Sequence, residues 1–479
     1  MRAHPAGPRH GDVISQPGVP KTPSSGELHA LAANIWPQSA RRNSRGEIQI
    51  GDVPVTQIAK DYATPIFVMD ETDLKSRAKE FLDSFSKLKD QSLAKPTTVY
   101  YAAKAFLSTY VAKTLHEIGL SIDVCTEGEL LCALKAGVDP KSILLHGNNK
   151  SDREIQLGVE HGIGVFVIDS LREISALEKF AKGTDKVSVL IRLTTGVEAH
   201  THEFIATAHE DQKFGFSIQS GQAEEAVSRV MKANNINLLG FHSHIGSQIF
   251  DSAGFEVAAS RIVDFARQME QKFDFKVSLL NLGGGIGIAY TPDDSPISVS
   301  KMSDELISIV KDKFGSDEIP QLAIEPGRAI IGPSTITLYT VGTIKPVTVD
   351  GGLIRNYVSV DGGMSDNIRT ALYDANYSVT LASRTSDAEP MLCRIVGKHC
   401  ETGDIVVRDA WLPSDLREGD LLAVAATGAY CRSMASQYNL VTRPGVIAVA
   451  DGKTKIVIRP ETYEDLFATD RDFNGSSST

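Results

Sequence analysis

Lys104 is the only charged residue in the apolar run Val99-Tyr100-Tyr101-Ala102-Ala103-Lys104-Ala105-Phe106. Burial disfavours an ammonium and leaves the amine nucleophilic, as a Schiff-base lysine requires; the plain alternative is a lysine snorkelling from a strand end. The stretch His242-Ser243-His244-Ile245-Gly246-Ser247-Gln248 follows an apolar run. On a strand an H-x-H places both rings on one face, which suits a metal pair, another functional role or a core histidine. In Asn281-Leu282-Gly283-Gly284-Gly285-Ile286-Gly287 successive glycines let backbone N–H groups close on an anion such as phosphate. The dinucleotide fingerprint is rejected, because a proline-containing loop stands where that motif opens a helix. Glu325-Pro326-Gly327-Arg328 joins a carboxylate able to hold a protonated ring nitrogen to an arginine able to grip an anion; a salt-bridged rim is the bland reading.

Three further groups lie downstream. Arg369 and Tyr373 in DGGMSDNIRTALY are four residues apart, on one face if the segment is helical. Cys400-Glu401-Thr402-Gly403-Asp404 sets a thiol beside a carboxylate in a turn, although an isolated cysteine is more often inert packing. Gly428-Ala429-Tyr430 reads as a strand end. His200, His202, Glu203 and His209 offer ligands whose spacing fits no zinc pattern, so no metal is expected.

The elements that must position these groups show a clear rhythm. Eight short aliphatic or β-branched runs alternate with amphipathic helices: 97–102, 121–124, 142–146, 164–168, 187–193, 237–243, 277–282 and 321–325. One helix carries Phe255, Ala259, Ile262, Val263, Ala266 and Met269 on a single face. Eight such units predict an α/β fold, a closed (β/α)8 TIM-like barrel over 71–333 with its chemistry where strands end. After Gly332 the extended runs 335–341, 357–360, 391–396, 405–407, 421–425, 446–450 and 455–458 predict a second, β-rich, sandwich or Greek-key-like domain. It spans 334–471 and takes in 28–70. Residues 1–27 and 472–479 are expected to be disordered tails.

Composition narrows the function. The 479 residues are 42% hydrophobic and 23% charged, the balance of a globular protein with ample core. A net charge of −11 repels polyanions, so no nucleic-acid partner is expected. No membrane or secretion segment is expected either, since no apolar run approaches the roughly 18 residues of a bilayer span. Five cysteines, odd in number and without zinc spacing, indicate a reducing, cytoplasmic setting.

Taken together, a nucleophilic lysine, a ring-stacking histidine, a glycine cradle and a carboxylate for a pyridine nitrogen are what pyridoxal 5'-phosphate requires. The phrases YYAAKA, HGNNKS, HSHIGSQ, LGGGIG, EPGR, DGGMSDNIRTALY, CETGD and GAY occur in one order. In them the chain resembles the barrel-type pyridoxal-phosphate decarboxylases of basic amino acids, from about Leu28 to Phe467. The resemblance implies that Lys104 carries the cofactor and His244 stacks on its ring, while Ser247, Gly283, Gly284, Gly285, Gly327 and Arg328 hold its phosphate. It implies further that Glu325 pairs with the ring N–H, Cys400 returns the proton and Tyr430 touches cofactor and substrate. Arg328, Arg369 and Tyr373 would surround a distal carboxylate and Glu401 the distal ammonium. Cys400 and Glu401 would reach across a homodimer, giving shared active sites.

Ornithine or arginine presents a distal cation, which calls for acids, whereas a zwitterionic end needs an arginine and a carboxylate together. Arg369 with Glu401 therefore favours meso-2,6-diaminopimelate, decarboxylated to L-lysine and CO2 in lysine biosynthesis. Three rivals stay open: another basic amino acid as substrate, a non-catalytic relative, and a metal-dependent hydrolase using His242 and His244. The sequence departs from the family at Glu127, at Lys398 where proline is expected, and at Cys431 where glycine is usual. These place loop conformation, not a chemical group, in question.

Overall fold

The computed structural model describes residues 22–24, 26–86, 95–183, 185–196, 213–315, 318–348 and 354–472. The chain forms two compact units, one of Lys75–Ile288 with Ser295–Ile330, the other of the segments up to Leu74, Ala289–Asp294 and from Ile331 onward. The expected tails lie largely outside the described residues, as do His200, His202, Glu203 and His209; Glu27–His29 forms one 3-10 turn.

The first unit is the barrel. Its strands are β1 (Thr98–Ala102), β2 (Ser121–Val124), β3 (Ile143–Leu145), β4 (Val165–Ile168), β5 (Val187–Thr194), β6 (Ile236–Ser243), β7 (Leu279–Asn281) and β8 (Gln321–Ile324). Each pairs in parallel with the next, and β8 closes the ring onto β1 through Ala323–Thr98 and Ile324–Val99. Such strands are covered on both faces, so β3 and β4 are wholly buried and read as unbroken apolar runs. Tyr100, Leu144, Val165, Val167, Leu190, Leu279 and Ala323 form one buried cluster within this unit.

Local signals end the helices cleanly. Ser151 and Glu154 form a reciprocal capping box at the start of Asp152–His161, and Gly162 closes it at φ 63°. The face inferred for Ala253–Phe273 is the buried one. The two-residue strand Phe216–Ser217, added beside β5, was not expected from its sequence.

In the second unit Ile66–Asp70 lies between two strands distant in sequence, antiparallel to Thr335–Leu338 and parallel to Val446–Val449. The long strand Thr335–Thr348 next pairs with Leu421–Val424 and, past a bulge between Val341 and Ile344, with Ile354–Val360. Pro390–Val396 and Ile405–Pro413 extend the sheet. The strand Val379–Leu381 has no counterpart in the sequence reading. Ile35, Trp36, Ile48, Ile50, Ile58, Ile66, Val68, Ile336 and Leu338 build this unit's core. Among the described residues no helix is long and apolar enough to cross a membrane.

Candidate active site

The reactive residues of the barrel stand at the carboxyl ends of its strands. Lys104 lies in the 3-10 turn Ala103–Ala105 directly after β1, exposed between buried alanines. Its charge acts on Asp123, Cys125, Glu129 and His244, which locates it at the mouth between β1, β2 and β6.

Glu325 follows β8, is 3% exposed, and is gripped by three donors. His146 Nε2 and Asn281 Nδ2 each lie 2.7 Å from Oε1, and His242 Nε2 lies 3.2 Å from Oε2. Burial alone would raise this carboxyl, but the two imidazoles hold it well below the carboxylate range. Burial lowers the His146 and His242 pKa values against the pull of Glu325, and each ring turns its Nε2 to that carboxylate. That leaves both Nδ1 atoms without a partner. Asp123, at the end of β2 and wholly buried, has neither carboxylate oxygen hydrogen-bonded, and burial pushes it up to about 6. Asp123 and His146 were not singled out in the sequence, and Asn281 only as the first residue of the glycine-rich stretch; the signal available for His146 was HGNNKS at a strand end. The tight donor set is His146, His242 and Glu325, not the H-x-H pair.

His244 lies past the end of β6 and is half-buried. Burial first, then the charges of Lys104 and Arg192, holds its imidazole neutral. Its Nδ1 accepts the Gly284 amide at 3.3 Å. The glycine run is enforced by close backbone: a Cβ at Gly283, Gly284 or Gly285 would lie 2.1–2.2 Å from the carbonyl oxygens of Ser243, Glu325 and Gly246. Of the three amides, that of Gly283 is turned to Asn281 Oδ1 at 2.9 Å. Arg328 Nη2 donates to Ser247 Oγ at 2.9 Å, joining the loops after β6 and β8, and Gly327 packs a Cβ's width from Ala102. A buried pair steadies the His146 loop: Lys150 Nζ donates to Glu173 Oε2 at 2.7 Å, Gly147 O at 2.8 Å and Val167 O at 2.5 Å.

These groups fit pyridoxal phosphate. A lysine at the mouth, an ionised carboxylate among three nitrogen donors, polar atoms on Asp123 without a hydrogen bond, and a Ser247–Arg328 pair beside backbone no side chain could enter have the chemistry its aldehyde, ring nitrogen and phosphate call for.

In the β-rich unit Arg369–Tyr373 is a short helix, yet its two ends differ: Arg369 is 6% and Tyr373 61% exposed. Arg369 Nη1 donates to Tyr377 Oη. Cys400 is exposed and Glu401 half-buried, in a turn tied down by Asp404, which accepts the amides of His399 at 2.7 Å and Met364 at 2.6 Å. Lys398 uses its N–H on Gly362 O at 3.0 Å, a bond the expected proline could not make. Glu127 opens a helix and pairs with Arg153, again without disturbing the fold. Cys431 is buried against Tyr377, in an environment unlike that of Cys400. Tyr430 is half-buried at φ 60°.

Residues 74–332 match the family described as pyridoxal-dependent decarboxylase, pyridoxal binding domain. The chain is 50% identical to the diaminopimelate decarboxylase of Mycobacterium leprae over 98% of this chain and 99% of that one. It is 44% identical to that of Bacillus subtilis, over 91% and 98%. The crystal structure of the diaminopimelate decarboxylase from M. jannaschii in complex with L-lysine superposes at a TM-score of 0.85 with 30% identity, covering 91% of this chain and 98% of that one.

Proposed function

The chain belongs to the diaminopimelate decarboxylase family of pyridoxal-dependent enzymes, and from that membership we propose which of its side chains do what. It is a carboxy-lyase that removes CO2 from meso-2,6-diaminopimelate and leaves L-lysine. The observation that carries the assignment of roles is the ionised Glu325, buried among His146, His242 and Asn281.

Lys104 would hold the cofactor through its amine, His244 would lie against a ring face, and Glu325 would take the ring N–H. Ser247, the Gly285 amide, Gly327 and Arg328 would hold the phosphate, while Gly283 and Gly284, whose amides go to Asn281 and His244, keep the loop close beside it. Bound there, pyridoxal phosphate supplies an electron sink for the pair left when the Cα–carboxylate bond breaks. Glu325 is suited to its part because it stays anionic and so keeps a proton on its partner nitrogen. A neutral His244 contributes a flat apolar face without competing for that role. Cys400 would deliver a proton from Sγ, with Tyr430 bordering cofactor and substrate. Arg328, Arg369 and Tyr373 would meet the distal carboxylate and Glu401 the distal ammonium, the fork and acid that a zwitterionic end demands.

We place two chains at each site, because Cys400 is exposed and Tyr373 stands largely in solvent on the β-rich unit. The same exposed thiol, among five free cysteines, suits a reducing cytoplasm. Carbon dioxide release should be high from meso-diaminopimelate and slight from ornithine and arginine, and should require added pyridoxal phosphate; comparable release from ornithine would overturn the substrate assignment. Mixing Lys104→Ala with Cys400→Ala chains should restore part of the activity. No recovery in verified mixed dimers would remove the shared site.

A further inference from the structure

Arg369 is a cation with an unusual setting. It is 6% exposed, and among the described residues no carboxylate lies within ion-pair distance of it. Burying a charge is costly unless an opposite charge compensates, so such a guanidinium is a receptor lacking its anion. Its surroundings are aromatic instead. Tyr377 Oη accepts from Nη1 at 2.5 Å, and the guanidinium carbon stands 4.7 Å from the Tyr290 ring centre and 5.5 Å from that of Tyr377. The two rings meet edge to face at 5.1 Å and 79°. Both tyrosines are themselves buried and fastened. The Tyr290 carbonyl accepts the amide and hydroxyl of Ser378 at 3.0 and 2.8 Å, and Cys431 Sγ lies 3.6 Å from Tyr377 Oη. The Arg369 amide donates to Asn367 Oδ1 at 3.3 Å, which sets the start of its helix.

Aromatic faces stabilise a cation without neutralising it. One phenol oxygen takes one of five guanidinium N–H groups, leaving charge and donors available. We propose that Tyr290 and Tyr377 are positioning residues that pre-orient Arg369 for a carboxylate, and that this clamp selects substrate by the carboxylate at its distal end. The inference rests on the assignment of Arg369 to that carboxylate. Pre-organisation lowers the cost of ordering a long side chain on binding, so its loss falls on ligands that carry the group.

The test uses two ligands of the holoenzyme with the same five-carbon chain: L-lysine, and 1,5-diaminopentane, which lacks the carboxylate. Tyr377→Phe deletes only the hydroxyl, and Tyr290→Leu deletes the ring face. Each should weaken L-lysine about tenfold, the first through a lost hydrogen bond to the charge and the second through a lost ring face, and leave 1,5-diaminopentane within about twofold. KM for meso-diaminopimelate should rise in step while kcat changes far less. Equal losses for both ligands, or none for L-lysine, overturn the clamp. Arg369→Ala provides the separating control. If it leaves L-lysine binding intact, the carboxylate assignment itself fails; if it erases the preference while both tyrosine variants keep it, only the clamp fails. Should Tyr290→Leu not fold, Tyr377→Phe decides alone.

Discussion

Replacing His146 with leucine tests the electrostatics around Glu325. The change keeps bulk at a buried site and removes one of the two donors at 2.7 Å from Oε1, leaving Asn281 at 2.7 Å and His242 at 3.2 Å. A hydrogen bond to a charged group is worth about 1.5–3 kcal/mol. Its loss removes that much of what holds the Glu325 carboxyl down, so its pKa rises. The sign follows from the direction of the native shift. Glu325 is depressed, so its anion is present at neutral pH and is lost only as pH falls through the folded value. Raising that value moves the acid limb of activity to higher pH and leaves the neutral plateau nearer its original height. The assay is CO2 release from meso-diaminopimelate at saturating substrate and cofactor, followed across the acid range for the native chain, His146→Leu and His146→Asn. Asparagine can restore an N–H donor and should move the limb less. An acid limb that is identical in the native and leucine chains would show that His146 does not hold the charge on Glu325.

Asp123 offers the opposite sign. Burial raises it to about 6, above the roughly 3.9 of an unfolded chain, so the stability it contributes when protonated is lost as pH rises through 6. Asp123→Asn should therefore stabilise the cofactor-free protein by up to about 3 kcal/mol near pH 8, with the gain shrinking toward pH 4; denaturant unfolding at both pH values checks this, and a pH-independent gain contradicts it. Lys150→Met removes the partner of a buried Glu173 and should cost about 3–5 kcal/mol, most of it recovered in the Lys150→Met, Glu173→Leu double variant. Equal midpoints for single and double variants would mean that the ion pair is not what anchors the His146 loop.

Much of the architecture was legible because its cause is local. Parallel strands covered on both faces must be continuous apolar runs, which is why 143–145 and 165–168 stand out, and the amphipathic stripe of Ala253–Phe273 announces its buried face. Phe216–Ser217 and Val379–Leu381 are too short to carry a period, and only pairing with neighbours makes them strands. The six-residue segment Ala289–Asp294 shows no pattern of its own; contacts, not composition, assign it to the β-rich unit.

For the site, sequence alone determined the inventory: a lysine, histidine, glycine run and carboxylate at strand ends, with an arginine, a thiol and an acid downstream. Residue type and the order of short motifs are one-dimensional information, and they were enough to identify the chemistry. What surrounds each reactive group was decided by tertiary structure. Glu325 meets His146, His242 and Asn281 across separations of 179, 83 and 44 residues, because closing β8 onto β1 gathers four strand ends around one point. Likewise no spacing rule unites Tyr290 with Arg369. A charge state depends on every donor and every withheld water within a few ångströms, and that neighbourhood comes into being only when the chain has folded.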